Sequence, residues 1–199
     1  MNLTQLKRLS MIIGGAILLQ GCVTATVAGI TSVGAVATKV ATDPRSVGTQ
    51  VDDETLEEKV LSAIRSDEQI KSEARINVVS YSGRVLLIGQ VPDENLKEIA
   101  TSLAKGVEGI NDNNVYNEIR TAQPITVGQI SKDSWITTQV KSKMLVDSAV
   151  KTSDIKAITE DGEVFLMGHV TQDQGNSAAE IARNVAGVKK VVKVFNYLN

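Results

Sequence analysis

The chain has 199 residues, in which 21 Lys and Arg side chains are set against 23 Asp and Glu side chains. The formal net charge is −2, and it becomes about −4 when the two basic residues among the first 21 positions are left out. This charge argues against a nucleic-acid-binding protein, which normally has a strongly basic face. One cysteine and one histidine leave few candidates for metal binding or nucleophilic catalysis.

The N-terminal segment has the pattern of a bacterial lipoprotein signal peptide. The basic pair Lys7 and Arg8 precedes an apolar run of about eleven residues, too short for the roughly 20 residues of a membrane-spanning helix. The run ends in LLQGC, which resembles the lipobox of bacterial lipoproteins. The resemblance implies a signal peptide over residues 1–21, cleavage behind Gly21, and a diacylglycerol and an N-acyl chain on Cys22.

The residues after the cysteine indicate where the protein is located. By resemblance to enterobacterial lipoproteins, Val23 in place of Asp favours export to the outer membrane, with the folded part facing the periplasm. Lipid on Cys22 leaves no thiol for a disulfide. Residues 22–50 are rich in small and β-branched side chains, and we interpret them as a lipidated N-terminus and linker. An interfacial segment over residues 23–40 is the alternative.

The remainder of the chain contains an internal repeat. Residues 55–70 align with residues 135–150, so that four apolar positions of one stretch meet apolar positions of the other. Residues 81–91 align with residues 160–170 after one deletion, and both stretches share two glycines. We therefore predict two related domains. Their boundaries are 51–121 for the first domain, 122–131 for the inter-domain linker and 132–199 for the second domain.

Each copy has the pattern of a helix, two strands, a second helix and a closing strand. Apolar residues at helical spacing give way to two short strands that turn at a glycine. This order predicts an α+β fold in which a small sheet carries two helices on one face. Gly83 and Gly162 are expected in tight turns with positive φ. Gly89 and Gly168 follow apolar strand residues and are expected at a close backbone approach or a bulge.

The glycine-bounded strand of each copy resembles a known domain. GRVLLIG at residues 83–89 and GEVFLMG at residues 162–168 fit the G-x-V-x-L-x-G motif of the BON domain, within the αββαβ order. Two such copies after a lipobox are similar to two-BON-domain outer-membrane lipoproteins. That resemblance implies binding of anionic phospholipid through the first helix of the second copy, and support of outer-membrane integrity at division sites. The first copy departs from the pattern at residues 111–114, which lengthen a loop.

The sequence lacks a recognisable catalytic constellation. His169 follows an apolar strand without a nucleophile or base beside it, so we interpret it as a structural histidine. The acidic pairs Asp52-Asp53 and Glu57-Glu58 are typical of solvated or N-terminal helix charges. No glycine-rich phosphate loop follows a strand. We therefore predict no enzyme activity, no metal site, no cofactor beyond the covalent lipid, and no small-molecule substrate.

The first helices of the two copies differ in charge. Glu57 and Glu58 are replaced by threonines in the second copy, where residues 135–146 carry lysines as their only charged side chains. Trp135 lies far around this helix from its apolar seam. Indole and lysine side chains suit the headgroup level of an anionic membrane. The candidate phospholipid-binding residues are Trp135, Gln139, Lys141, Ser142, Lys143, Leu145 and Val146.

Other interpretations of this surface stay open from the sequence. Trp135 can instead plug the junction with the first domain or cover a sheet edge. It can also be a hot spot for a protein groove, in which case the chain is an interaction adaptor for envelope assembly or division proteins. The cluster Lys189, Lys190 and Lys193 is typical of a solvated strand end, and it adds headgroup attraction if it lies on the same side as Trp135.

Overall fold

The computed structural model describes residues 45–198, which form two copies of one unit. The predicted signal peptide, Cys22 and most of the predicted lipidated linker lie outside the described residues. The first copy contains α1 (Val47–Ile64), α2 (Glu68–Glu73), β1 (Arg75–Tyr81), β2 (Arg84–Val91), α3 (Glu94–Lys105) and β3 (Val115–Thr121). The second copy contains α4 (Val127–Leu145), β4 (Ile155–Glu160), β5 (Glu163–Val170), α5 (Gln172–Arg183) and β6 (Lys190–Tyr197).

Each copy forms a three-stranded sheet with the hairpin strands antiparallel and the closing strand parallel to the middle one. A parallel partner requires a crossover connection, and α3 and α5 supply it. The first helix and the crossover helix of each copy pack against one face of its sheet, which confirms the predicted α+β fold. The buried seam of α1 contains Val60 and Ile64, and that of α4 contains Ile136, Val140 and Met144.

The stretch 55–70 of the repeat is not one continuous helix. Helix α1 ends at Ile64, and the carboxylate of Asp67 then accepts the N–H groups of Gln69 and Ile70 at the start of α2. Helix α4 begins at Val127, where the Thr126 hydroxyl accepts the N–H of Gln129. Only residues 122–126 therefore connect β3 to α4 outside regular structure.

The two hairpins turn through a pair of residues with positive φ. Ser82 and Gly83 have φ of 51° and 74°, and Asp161 and Gly162 have φ of 48° and 76°. Two successive left-handed residues match the right-handed twist of the flanking strands. The second position of each turn is glycine, which adopts this conformation without strain from a Cβ.

A buried aspartate from the first helix of each copy closes the hairpin turn. Asp53 accepts the N–H groups of Ser82 and Gly83, at 2.7 and 2.9 Å. Asp133 accepts the two turn N–H groups of the second copy, at 2.7 and 2.8 Å. The interpretation of Asp53 as a solvated charge was therefore wrong, since this carboxylate satisfies backbone donors inside the fold.

Gly89 and Gly168 lie where one strand of each sheet comes very close to another. A Cβ on Gly89 would lie 2.0 Å from the carbonyl oxygen of Arg75, and one on Gly168 would lie 2.2 Å from that of Asp154. Both distances are far inside van der Waals contact. These glycines are therefore required by close backbone approach.

The two sheets pack against each other through the faces that their own helices leave uncovered. Leu86 and Ile88 of β2 meet Phe165 and Met167 of β5 in a buried cluster. The described residues thus form four layers, with helices outside and the two sheets inside. The same contact includes Tyr81, whose ring meets His169 edge to face with centroids 5.6 Å apart.

Buried polar side chains fix the position of one copy relative to the other. Glu160 of the second copy is buried and accepts hydrogen bonds from Arg75, Asn77 and Gln90 of the first. The amide oxygen of Gln90 also accepts the N–H of Ile125, 3.3 Å away, in the connecting segment. Removing one partner from such a network leaves a buried group unpaired, so the network favours one arrangement of the domains.

The loop before β3 is longer than its counterpart before β6. Four residues, 111–114, separate Ile110 from the start of β3, and residues 112–114 form a 3-10 turn. Two residues separate the corresponding Val188 from Val191, which aligns with Val115. The predicted lengthening is therefore a short turn inserted into the first copy.

Candidate membrane-binding surface

Helix α4 leaves a group of large apolar side chains in solvent. Trp135 is 52 % exposed, Val127 78 %, Leu145 74 % and Val146 85 %. Its opposite side buries Ile136, Val140 and Met144 in the core of the second copy. Single exposed aliphatic side chains are ordinary on soluble domains, but a half-exposed indole on the same helix makes this surface a candidate contact site.

The exposed charges of α4 are all positive. Lys132, Lys141 and Lys143 are exposed, whereas Asp133 is the one acidic residue between Val127 and Leu145 and is buried under the hairpin turn. The electrostatic field of this helix therefore attracts anions. Cations interspersed with an aromatic and aliphatic side chains match the interfacial region of an anionic membrane.

The structure brings most of the sequence-predicted residues together around Trp135. At about 100° per residue, Gln139, Ser142 and Val146 lie within about 40° of Trp135 around the helix axis. Leu145 lies about 80° to one side and Lys143 about 80° to the other. The Nζ of Lys143 lies 3.4 Å from the carbonyl oxygen of Asn184.

Lys141 is set apart from this group. It lies about 120° around the helix from Trp135, and it lines a cleft with Glu57, Tyr81 and Lys156. Although the side chain as a whole is exposed, partial desolvation and the nearby Lys156 ammonium hold the pKa of Lys141 below its ordinary value. Lys141 therefore faces the junction between the domains.

Trp135 is not part of the buried apolar core of the junction between the domains. That core is the cluster between the two sheets, and none of the three buried clusters formed by residues 45–198 includes this indole. A side chain that is half exposed also leaves one ring surface in solvent. The geometry thus favours a contact site over the alternative of a plug at the junction.

The corresponding surface of α1 is different. Thr55 takes the place of Trp135, and Arg65 takes that of Leu145. Glu57 is engaged inside the protein, because its carboxylate accepts the N–H of Ser80 and the ammonium of Lys156. The interpretation of Glu57 as an ordinary solvated charge was therefore wrong, and α1 presents no counterpart of the exposed aromatic.

Sequence reasoning missed four residues that define this site or position it. Val127 and Lys132 belong to the exposed surface of α4 but lie before or at the edge of the predicted second domain. Asp53 and Asp133 hold the first helices against the hairpins. The recurrence of aspartate at the same place in both copies was the signal, since a solvated charge has no reason to recur.

Residues 45–198 contain neither a metal-binding cluster nor a membrane-spanning helix. No three His, Cys, Asp or Glu side chains in this part of the chain are grouped to hold a metal ion. The helices in the same range are too short or too polar to cross a bilayer. The cluster Lys189, Lys190 and Lys193 lies around the start of β6, the strand that follows α5.

Comparison with known proteins identifies close relatives. The family model of the BON domain matches residues 52–123 and 132–199. The chain is 61 % identical over 199 residues to the "Outer membrane lipoprotein DolP" of Haemophilus influenzae, covering 100 % of both chains. It is 59 % identical over 156 residues to the "21 kDa hemolysin" of Actinobacillus pleuropneumoniae, covering 78 % of this chain and 79 % of that one. It is 35 % identical over 154 residues to the "Osmotically-inducible protein Y" of Escherichia coli, covering 77 % and 76 %.

Proposed function

This chain belongs to the BON-domain family, as a two-domain outer-membrane lipoprotein, and from this premise we propose that α4 binds anionic phospholipid. The observation that carries the proposal is the half-exposed Trp135 on a helix whose exposed charges are all lysines. Indole is favourable at headgroup level, and each lysine near an anionic surface contributes about 1 kcal/mol. Lipid on Cys22 would hold the domains at the same membrane, so a weak contact suffices.

The proposal assigns different tasks to the two domains. The second domain contacts lipid through α4, and the first domain fixes its position through the sheet contact and the buried Glu160 network. Gln90 bonds both Glu160 and the segment that leads into α4, so the start of this helix is anchored on the first domain. The first domain therefore serves as a scaffold.

Flotation with liposomes tests the lipid contact. The probe is the chain from residue 22 onward with Cys22→Ser, made without the signal peptide, so that no covalent lipid contributes to binding. We expect flotation with vesicles containing phosphatidylglycerol and none with phosphatidylcholine alone. Equal binding to both would contradict electrostatic recognition. Absence of binding to both would favour the adaptor, with Trp135 as a hot spot for a protein groove.

The covalent anchor is tested separately through Cys22. Thioether acylation has no substitute side chain, so Cys22→Ala should block labelling by radioactive palmitate and globomycin-sensitive maturation. The unprocessed protein should no longer fractionate with the outer membrane. A Cys22→Ala variant that matures and localises normally would overturn the lipobox assignment.

The proposal also includes support of outer-membrane integrity at division sites. The resemblance to two-BON-domain outer-membrane lipoproteins supports this part, and the full-length identity to an outer membrane lipoprotein supports the location. Deletion should increase sensitivity to antibiotics that an intact outer membrane excludes, and a fluorescent fusion should concentrate at mid-cell. A uniform peripheral signal would remove the division site from the proposal.

A further inference from the structure

The turn of the second hairpin contains a dipeptide that is prone to chemical rearrangement. Asp161-Gly162 is the one Asp-Gly pair in the sequence, and no Asn-Gly pair occurs in it. In such a pair the amide nitrogen of the glycine can attack the side-chain carboxyl carbon of the aspartate, because glycine has no Cβ to hinder the approach. The product is a cyclic imide, which water opens to a β-linked isoaspartyl bond.

The nucleophile of this reaction is held inside the fold. The N–H of Gly162 donates to the buried carboxylate of Asp133, at 2.8 Å, and the N–H of Asp161 donates to the same carboxylate, at 2.7 Å. Gly162 itself is buried, and its carbonyl oxygen accepts the N–H of Lys189, at 2.8 Å. The amide nitrogen of Gly162 therefore cannot move toward the carboxyl carbon of Asp161 unless these hydrogen bonds break.

The electrophile is also held in place, and partly by the other domain. The Asp161 carboxylate accepts hydrogen bonds from Lys189, at 3.0 Å, and from Arg120 of β3 in the first domain, at 2.6 Å. Partial burial would raise the pKa of Asp161, but the hydrogen bonds from Lys189 and Arg120 hold this pKa below its ordinary value. An ionised carboxylate has no hydroxyl group to lose, so it forms the imide more slowly than a protonated carboxyl does.

The first hairpin shows that the turn does not require an aspartate. Ser82 takes the place of Asp161 with a similar φ, 51° against 48°, and Asp53 accepts the two turn N–H groups there. A serine side chain has no carbonyl carbon, so no imide can form at this turn. The carboxyl of Asp161 therefore serves contacts outside the turn, and it brings a reactive bond into the second hairpin alone.

We propose that Asp161-Gly162 is a latent modification site, which Asp133 and the contact with the first domain keep from forming isoaspartate. When the turn opens, the Gly162 nitrogen bonds to the carboxyl carbon of Asp161, and the amide hydrogen and the carboxyl hydroxyl leave as water. Water then adds to the former main-chain carbonyl carbon and breaks its bond to this nitrogen, so that the chain continues through the Asp161 side chain. One water is released and one is consumed, and no other reactant is needed.

The modification makes the opening of the turn irreversible. An isoaspartyl bond adds one methylene to the main chain, so the turn N–H groups no longer fit the carboxylate of Asp133. The Asp161 side chain is 24 % exposed, and water for the second step reaches it. Isoaspartate at this position thereby records that the second hairpin has opened.

Ageing of matched variants tests the proposal. The probe is the unlipidated chain described above, kept folded at physiological temperature and mildly acidic pH. Peptide mapping detects the isoaspartyl peptide by its unchanged mass and altered retention time. Asp133→Ala should form isoaspartate at Asp161 about thirtyfold faster than the wild type does. Asp53→Ala removes the equivalent aspartate from the first hairpin and should accelerate the reaction less than about threefold.

Arg120→Gln tests the contribution of the first domain without touching the turn N–H groups. The variant loses one partly exposed cation, so we expect a reaction about threefold faster than in the wild type. A folded wild type that ages as fast as the chain unfolded in guanidinium chloride would overturn the proposal. Equal acceleration in Asp53→Ala and Asp133→Ala would also overturn it, because general unfolding would then explain the rate. If Asp133→Ala does not fold, a wild-type rate in Arg120→Gln decides against the proposal.

Discussion

The first helices of the two domains have the same buried side and different exposed sides. In α1, Glu57 accepts hydrogen bonds from Ser80 N–H, at 2.7 Å, and from Lys156 of the other domain, at 2.8 Å. In α4, the corresponding Thr137 bonds Thr159 within its own domain, at 2.8 Å. The acid is therefore needed in one copy only, and its loss from the other leaves α4 with lysines as its exposed charges.

Such differences are informative because the two copies share their packing requirements. Residues that the fold needs, such as Asp53 and Asp133, recur at the same place. Trp135 and Leu145 replace polar residues of α1 and join none of the buried clusters. Packing in these clusters does not account for them, and the proposed lipid contact of α4 would.

The largest expected effect is a loss of stability, and it should be similar in the two domains. Gly89→Val and Gly168→Val each place a side chain within 2.0 to 2.2 Å of a backbone carbonyl oxygen. We expect each variant to lose at least about 4 kcal/mol of unfolding free energy, measured by urea denaturation. Gly128→Ala is the control, since its Cβ would meet only the Thr126 hydroxyl at 3.7 Å. Native-like stability of either valine variant would contradict the close approach.

Removing the buried aspartate should destabilise either copy, but not equally. Asp53→Ala and Asp133→Ala each leave two turn N–H groups unpaired, at a cost of about 2–4 kcal/mol in unfolding free energy. Asp53 should cost more, because it also accepts from the Ser80 hydroxyl and pairs with Arg45. Denaturant midpoints measure the difference. Asp52→Ala, at an exposed neighbouring position, should change stability by less than about 0.5 kcal/mol.

Lipid binding should depend on α4 and not on α1. Trp135→Glu removes the indole and adds an acid beside the lysines, while Thr55→Glu makes the same change on a helix that already carries acids. We expect Trp135→Glu to cost about 2–3 kcal/mol of binding free energy, close to a hundredfold in affinity for anionic liposomes. Thr55→Glu should bind normally, and both variants should melt like the wild type. If Trp135→Glu unfolds the protein, Trp135 is a core residue and not a lipid contact.

Much of each domain could be predicted because its signals are local. Apolar spacing in the first helices and the glycines of the hairpins depend on a few neighbouring residues. The predicted fold covered one face of each sheet with helices and left open what covers the other, although a continuous apolar run in the middle strand is typical of burial on both faces. That cover is the other copy's sheet, through Leu86, Ile88, Phe165 and Met167, and no local pattern encodes which surfaces meet.

The candidate site was partly predictable for the same reason. Helical periodicity placed Trp135, Ser142 and Val146 on one stripe, and the structure keeps them there. Periodicity alone did not reveal that Lys141 faces the cleft, because the direction of its ammonium depends on the position of the other domain. The start of α4 was also missed, since its capping Thr126 lies in a segment without apolar spacing.

The smallest expected effect is a pH-dependent change in stability at the second hairpin. Partial burial would raise the pKa of Asp161, but hydrogen bonds from Lys189 and Arg120 outweigh it and hold the pKa below its ordinary value. A carboxyl with a depressed pKa stabilises the fold above its unfolded pKa, and this contribution is lost as the pH falls through the folded pKa. The Asp161 carboxylate therefore stabilises the contact between the domains at neutral pH. Its counterpart in the first hairpin, Ser82, carries no charge.

Asp161→Asn isolates this contribution because asparagine tolerates the left-handed backbone and only the charge is lost. Both side chains of the pair with Arg120 are partly exposed, so solvent screens the pair and we expect a loss of about 1 kcal/mol or less in unfolding free energy at pH 7. The difference from the wild type should shrink with acidification and vanish once Asp161 is protonated, at pH values below its depressed pKa. Ser82→Asn, the matched change in the first hairpin, should give a pH-independent difference. A constant deficit in Asp161→Asn at every pH would mean that backbone strain, and not the charge, distinguishes the two turns.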